Sequence, residues 1–279
     1  MSEKGPAKPS KLEGIKIGSD YLRAPLAAEV RSEAGHLGED ANSLLKFHGS
    51  YQQDDRDLRV QYRREGKDKA YQCMVRVRMP GGKLASAAQY LACDELARTL
   101  GSGSLRITTR QEFQIHGVLK RDLGAVIRRV NEIHLCTLAA CGDVERNVLA
   151  CPAPIRDALH AEMQRDCDTF AAHFAPRTPA YAEIWLDGQK LDNPLLPKPG
   201  PSLVATPGDD AVEPIYGQAY LPRKFKTAFA FPDDNCTDLH ANDLGFLAIV
   251  ANGHIAGYNV LVGGGLGTPP SGGKTFPAL

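Results

Sequence analysis

No stretch constrains the fold of this 279-residue chain more than the run from Leu105 to His116, because its residues alternate in character almost without a break. Its odd positions are mostly apolar (Leu105, Ile107, Phe113, Ile115), and its even positions are Arg106, Thr108, Arg110, Glu112, Gln114 and His116. A period of two belongs to extended chain with one face on a core and a wholly polar face opposite. Cys73 to Met79 repeats the pattern, with Val75, Val77 and Met79 on one side and Met74, Arg76 and Arg78 on the other, until Pro80-Gly81-Gly82 ends the strand. Between the two lies a helix opened by Ser86 and Gln89 in capping-box spacing, with Ala88, Leu91, Ala92, Leu96 and Leu100 as its stripe and Gly101-Ser102-Gly103 as its stop. A second helix, from about Arg121 to Leu135, carries Leu123, Val126, Ile127, Val130 and Ile133. Strand, helix, strands and helix in this order predict a split β-α-β unit of ferredoxin-like topology.

The flanking segments read differently. Residues 1–69 are polar and charge-rich, with the runs Gln52 to Asp57 and Arg63 to Lys69, and are expected to form a partly ordered arm. After residue 138 a third helix is marked by Leu159, Met163, Cys167, Phe170 and Phe174, and Tyr181 to Leu186 is expected to be a strand. Residues 189–214 hold six prolines and read as a surface excursion. Lys224 to Phe231 alternates again, Phe246 to Val250 and Ile255 to Val262 flank the hairpin signal Asn252-Gly253, and Gly263 to Leu279 reads as loop. The expected organisation is α+β: an arm over 1–69, a ferredoxin-like half-domain over 70–138, and a second α+β unit with a mostly antiparallel sheet over 139–279.

Composition removes several function classes. Lys plus Arg and Asp plus Glu both number 33, so no global field draws the chain to nucleic acid or an anionic membrane, and any anion site must be built locally. No apolar run approaches the roughly 20 residues of a membrane-spanning helix, and the first residues lack the apolar stretch of a signal peptide, so a cytoplasmic location is expected. The seven cysteines are odd in number, scattered, and expected to be free thiols. There is no Cys-x-x-Cys, no His-Glu-x-x-His and no phosphate-binding loop, and His48, His160, His173 and His240 are each isolated, so no metal ligands are assigned.

Three clusters of cations remain. Lys224 and Lys226 project from one side of a predicted strand, about 7 Å apart, and like charges that close call for an anion between them. A solvated edge strand guarded by lysines has the same spacing. The even face of 105–116, with Arg106, Thr108, Arg110, Gln114 and His116, offers bidentate donors for the carboxylates of a large cofactor, and equally describes the wet side of an antiparallel sheet. Arg76 with Arg78 repeats that argument in miniature, and Arg146 beside Asn147 adds another cation without periodic support.

Seven colinear stretches together resemble the hemoprotein (beta) subunit of assimilatory sulfite reductase, in the nitrite/sulfite reductase superfamily. They are Phe47 to Asp57, Leu105 to Gly117, Arg146 to Leu149, Pro176 to Asp187, Tyr220 to Lys226, Asp238 to Asp243 and Val262 to Leu266. The resemblance implies six-electron reduction of sulfite to sulfide in sulfur assimilation, on a siroheme whose iron shares a cysteine with a 4Fe-4S cluster. It implies that Arg76, Arg146, Lys224 and Lys226 bind sulfite and serve catalysis. Arg106, Thr108, Arg110, Gln114, His116, Asn147 and Arg223 are implied to hold the macrocycle and its carboxylates.

It also sets limits. The family's cluster cysteines follow Cys-x5-Cys and Cys-x3-Cys spacing, and neither occurs here, the closest pair being Cys136 and Cys141. The expectation is therefore the N-terminal half of such a reductase, inactive without a cluster-bearing half that a separate chain could supply. The implied electron donor is an NADPH-dependent flavoprotein subunit or ferredoxin. A non-catalytic fragment that binds siroheme, an anion or a flavoprotein, and a fragment of ferredoxin-dependent nitrite reductase, are the competing expectations.

Overall fold

A computed structural model describes residues 9–189, 193–196 and 212–264. In chain order the elements are α1 (Lys11–Ile17), α2 (Leu26–Val30), α3 (Glu39–Leu45), β1 (Ser50–Asp54), α4 (Arg56–Arg64), β2 (Tyr71–Val77), α5 (Ala87–Thr99), β3 (Leu105–Ile107), β4 (Phe113–Val118), α6 (Leu123–Glu132), α7 (Ala158–His173), α8 (Ala180–Trp185), β5 (Thr227–Ala230), β6 (Leu244–Ala251) and β7 (His254–Val262). Two sheets form, in the orders β1-β2-β4-β3 and β5-β6-β7. The first is antiparallel throughout, and in the second β5 runs parallel to β6 while β6 and β7 form an antiparallel hairpin. The architecture is α+β, as the alternation of strand and helix patterns requires.

Val75, Val77, Phe113, Ile115 and Val118 line one face of the first sheet, and Cys93, Leu96 and Ala97 of α5 with Leu123, Val126, Ile127 and Val130 of α6 pack against it. Burying those side chains contributes roughly 1.5–3 kcal/mol each. The stripe that predicted α6 is the surface buried here, whereas α5 is rotated from its predicted face: Gln89, Ala92, Cys93, Leu96 and Ala97 are buried, while Ala88 and Leu91 are exposed. The capping box expected at Ser86 does not form: Ser86 precedes α5 without a side-chain cap, and Gln89 instead accepts from Ala85 N (2.7 Å) and donates to Ile133 O (2.8 Å).

The first 69 residues depart from the expectation of an arm. Leu22, Leu26, Leu37, Ala41, Leu44, Leu45 and Phe47 are buried in the same core, and β1 adds an edge strand to β2. The ammonium of Lys16, itself buried, donates to Leu221 O (2.8 Å) and lies 3.4 Å from Asp143. The polar composition of the segment belongs to its outer faces; α4, for instance, buries none of its residues.

Tyr181 to Leu186 also departs from expectation, being helical rather than extended. Tyr181, Ile184 and Trp185 fall at i, i+3 and i+4 and are all buried, so the apolar run lies on one helical face; a run this short fits both periods. His48 bears out its reading as a structural residue. Trp185 Nε1 donates to its Nδ1 (2.9 Å), its Nε2 meets Leu22 O (3.2 Å), and burial lowers its pKa to about 4.

A second core lies between α7 and the small sheet, with Met163, Cys167, Ala171, Phe229, Phe231 and Ala248. The turn between β6 and β7 places Asn252 and Gly253 at φ +52° and +77°, the conformation that makes Asn-Gly a hairpin signal. All seven cysteines are free thiols. Most of the proline-rich segment predicted over 189–214, and nearly all of the C-terminal loop, lie outside the described residues. No described helix is long and apolar enough to cross a membrane.

Candidate functional site

The walls of the site come from both sheets, and a segment without regular structure, residues 144–150, joins them. Its main chain runs alongside β5: Arg146 N donates to Phe225 O (2.9 Å), Leu149 N to Thr227 O (3.0 Å), and Phe229 N to Leu149 O (2.8 Å). On the other side Gly81 N donates to Val148 O (3.0 Å). Asn147 is wholly buried, and its carboxamide donates to Met79 O and Arg110 O, each at 2.9 Å. Asn147 therefore staples the end of β2 to the β3–β4 turn through its amide nitrogen, while its own Oδ1 is buried without a hydrogen-bond partner.

Where these pieces meet, a cleft of about 370 Å³ is lined by Arg76, Thr108, Arg110, Glu112, Arg146, Lys224, Lys226 and Asn242, among others. Five cations from four separate segments thus converge on one opening. Arg76 comes from β2 and Arg110 from the turn between β3 and β4. Arg146 stands on the joining segment, and the two lysines stand just before β5.

Four of the five cations are held by main-chain or side-chain oxygen. Arg146 Nε (2.8 Å) and Arg76 Nη1 (3.4 Å) both donate to Ala140 O, which sets the two guanidiniums side by side. Arg110 donates to Asn147 O (2.9 Å) and Asn242 Oδ1 (2.5 Å), and Lys226 Nζ to Ala241 O (3.0 Å). Thr108 Oγ1 accepts from Arg110 N (3.2 Å) and Glu112 N (3.3 Å), fixing the turn.

Beneath the arginines sits Glu112, fully buried, 3.6 Å from Arg76 Nε and 3.9 Å from Arg146 Nη2. Neither of its oxygens accepts a hydrogen bond. Burial raises its pKa to about 7 against the opposing pull of Arg146, Arg76, Arg110 and Arg78. Burial likewise raises Glu145, which accepts from Thr227 Oγ1 (2.9 Å), to about 8. Near neutral pH these carboxyls only partly offset the five cations, so the cleft stays electropositive. Desolvation and then the charges of Arg146, Arg223, Lys226 and Arg76 pull the pKa of Lys224 down, which makes its ammonium a readier proton donor.

The other predicted residues scatter around this centre. Arg106 and Gln114 face each other across β3 and β4. Gln114 lies 3.1 Å from Arg76 Nε and 3.0 Å from His116 Nε2, so it links the cleft to the outer hairpin face. His116 also meets Gln53 Nε2 at 3.3 Å. Arg223 is exposed beside Lys224. Arg78 departs from Arg76: it is buried and donates to Leu195 O (2.9 Å) beside a different cavity. Two cleft residues escaped the sequence reading as individuals. Parity put Glu112 with the wet face, but the turn, with Gln111 at φ +55°, carries it inward. Asn242 lay within a matched stretch and carried no chemical signal of its own.

The α+β fold thus gathers five cations from both sheets on one cleft, an arrangement with the charge and the donors to hold a small anion. Residues 64–133 match the model described as "Nitrite/Sulfite reductase ferredoxin-like half domain", and residues 168–279 match "Nitrite and sulphite reductase 4Fe-4S domain". The chain belongs to the nitrite/sulfite reductase family. It is 47% identical over 273 residues to a sulfite reductase (NADPH) hemoprotein beta-component of Lysinibacillus sphaericus, covering 98% of this chain and 45% of that one. A sulfite reductase (ferredoxin) of Synechococcus elongatus is 46% identical over 283 residues, covering 98% and 44%. The chain thus spans a little under half the length of these relatives. The Mycobacterium tuberculosis NirA structure shares the fold, with a TM-score of 0.54 at 21% identity over 92% of this chain and 40% of that one.

The donor set accepts one of the family's two groups and not the other. Beside the cleft, the hairpin face with exposed Arg106 and half-buried Gln114 and His116 offers cationic and polar contacts suited to a macrocycle bearing many carboxylates. For a 4Fe-4S cluster four thiolates must converge. Among the described residues, the one group of three or more metal-capable side chains is Cys151, Asp234 and Cys236, which has only two thiols.

Proposed function

We propose that this chain is the siroheme- and anion-facing portion of a sulfite reductase, and that its cleft binds sulfite for reduction to sulfide. The observation that carries the reading is the convergence of Arg76, Arg110, Arg146, Lys224 and Lys226 on one cleft. Arg76 and Arg146, oriented by the Ala140 carbonyl, offer N–H groups to the oxygens of the anion. Lys224 and Lys226 balance its second charge, and Lys224 donates protons as S–O bonds break and water leaves. Arg106, Arg110 and His116 would hold siroheme through its carboxylates, and that group would supply the electrons at its iron when bound. The relatives' names carry both NADPH and ferredoxin, and the proposal takes a flavoprotein subunit or ferredoxin as the donor.

The described residues contain no four-cysteine set, so the proposal includes that this chain by itself binds the anion without reducing it. The test is the visible spectrum of the chain expressed with siroheme biosynthesis, alone and with a relative's cluster-bearing half supplied in trans. Siroheme bands that shift on adding sulfite support the reading. A protein that stays colourless in both arms overturns the cofactor assignment, and bands that respond to nitrite but not to sulfite overturn the substrate.

A further inference from the structure

Away from the five cations, three side chains with metal-binding chemistry come together from two parts of the chain. The ligand atoms of Cys151, Asp234 and Cys236 all lie within 4.8 Å of one another. Cys151 follows the joining segment, whereas Asp234 and Cys236 share the turn after β5. Sequence spacing hides this group, because 82 residues separate the first ligand from the other pair.

We infer that Cys151, Asp234 and Cys236 form a site for a thiophilic divalent cation, zinc in class, with one coordination position open. In tetrahedral geometry a Zn–S bond of about 2.3 Å and a Zn–O bond of about 2.0 Å set an S···O edge of roughly 3.5 Å. Cys151 Sγ stands 3.4 Å from Asp234 Oδ2, so that edge is already in place. Asp234 Oδ1 accepts from Cys236 N (3.0 Å), which turns the carboxylate so that Oδ2 points at the thiol. Such an outer contact is what orients ligands in metal sites.

The scaffold is equally fixed. Gln164 Nε2 donates to Cys151 O (3.0 Å), Asp234 N to Phe231 O (3.2 Å), and Leu239 N to Asn235 Oδ1 (2.8 Å). Two thiolates with one carboxylate prefer zinc, cadmium or cobalt over magnesium or calcium, which take oxygen ligands. Leu149, two residues before Cys151, and Thr237, next to Cys236, both line the anion cleft. A bound ion would therefore cross-link two of that cleft's walls, although the metal site stands independently of the sulfite reading.

The experiment is titration of the full, reduced chain with cobalt(II), followed by its visible ligand-field absorption, and then displacement of cobalt by zinc. One ion per chain with a tetrahedral thiolate spectrum is expected. Cys236→Ser, at an exposed position, and Asp234→Asn should each weaken binding by more than the roughly 10–100-fold that loss of an outer-shell partner costs. Arg146→Ala should leave the cobalt spectrum intact. Absence of a tetrahedral spectrum in the folded wild-type chain overturns the assignment, and so does a spectrum that persists with unchanged affinity in both ligand variants, which would mark an adventitious ion only.

Discussion

Replacing Glu112 with Gln tests whether one buried carboxyl sets the charge of the cleft. An anion held on the outer side of guanidiniums that lie 3.6 and 3.9 Å from Glu112 would sit roughly twice that distance from the carboxylate, about 7 Å. At an effective dielectric of about 20, a carboxylate and a doubly charged anion at that spacing repel by about 5 kcal/mol, or roughly 3000-fold in affinity. With its pKa at about 7, Glu112 changes from neutral to charged across the physiological range. Sulfate is the suitable probe, because it keeps one charge state there whereas sulfite does not. Calorimetric titration should show sulfate affinity falling by up to roughly 3000-fold as pH rises from about 7 upward. In Glu112→Gln the slope should flatten at the tighter value.

Stability must move in step. The folded-state pKa is raised above the ordinary 4.5, so the contribution of Glu112 is fully present below that value and is lost as pH climbs through about 7. The loss amounts to about 3 kcal/mol, and at alkaline pH the Gln variant should melt several degrees higher than wild type. An identical sulfate slope in both proteins, or a Gln variant that is less stable than wild type at alkaline pH, would refute the reasoning.

Other substitutions give independent checks. Arg146→Ala should weaken sulfate binding by at least 10-fold with its charge-assisted contacts gone, while the far-ultraviolet circular dichroism stays that of the wild type. Gly49, at φ +85°, packs its α-carbon against the carbonyl of Thr137, so Gly49→Ala should cost about 3 kcal/mol or more in denaturant unfolding. His48 has the opposite pH sign to Glu112: its folded pKa of about 4 lies below the ordinary 6.5, so stability is lost as pH falls between those values, by up to about 3 kcal/mol. Trp185→Phe leaves His48 Nδ1 without its donor and should cost about 1–3 kcal/mol, read from the same unfolding curves.

The elements most legible in the sequence were those whose period is long enough to be unambiguous. The stripes of α6 and α7 and the β6–β7 hairpin with its Asn-Gly turn could be placed because several buried positions repeat at one spacing, whereas α5 was placed as a helix but with its buried face turned. Residues 1–69 could not, because seven buried apolar side chains are spread thinly among charges that face water. Tyr181 to Leu186 offered too few residues to separate two periods. The lysine pair and Arg76 were visible as cations, but only the fold brings them to Arg146. Glu112 was hidden by its own parity, and Asn147 resembled a ligand contact until its carboxamide was found between two backbone carbonyls.

The joining segment 144–150 looks like a loop, yet the amides of Arg146 and Leu149 and the carbonyls of Val144, Val148 and Leu149 are bonded to the chain on either side of it, residues 225–229 and Gly81. Those two amides should therefore exchange with solvent deuterium as slowly as those of the central strands, opening only in global unfolding. Among the described residues, a cleft framed that way is a fixed opening. Anion capture should follow a single exponential whose observed rate rises linearly with concentration, and differences in affinity among variants should appear chiefly in how long the anion stays.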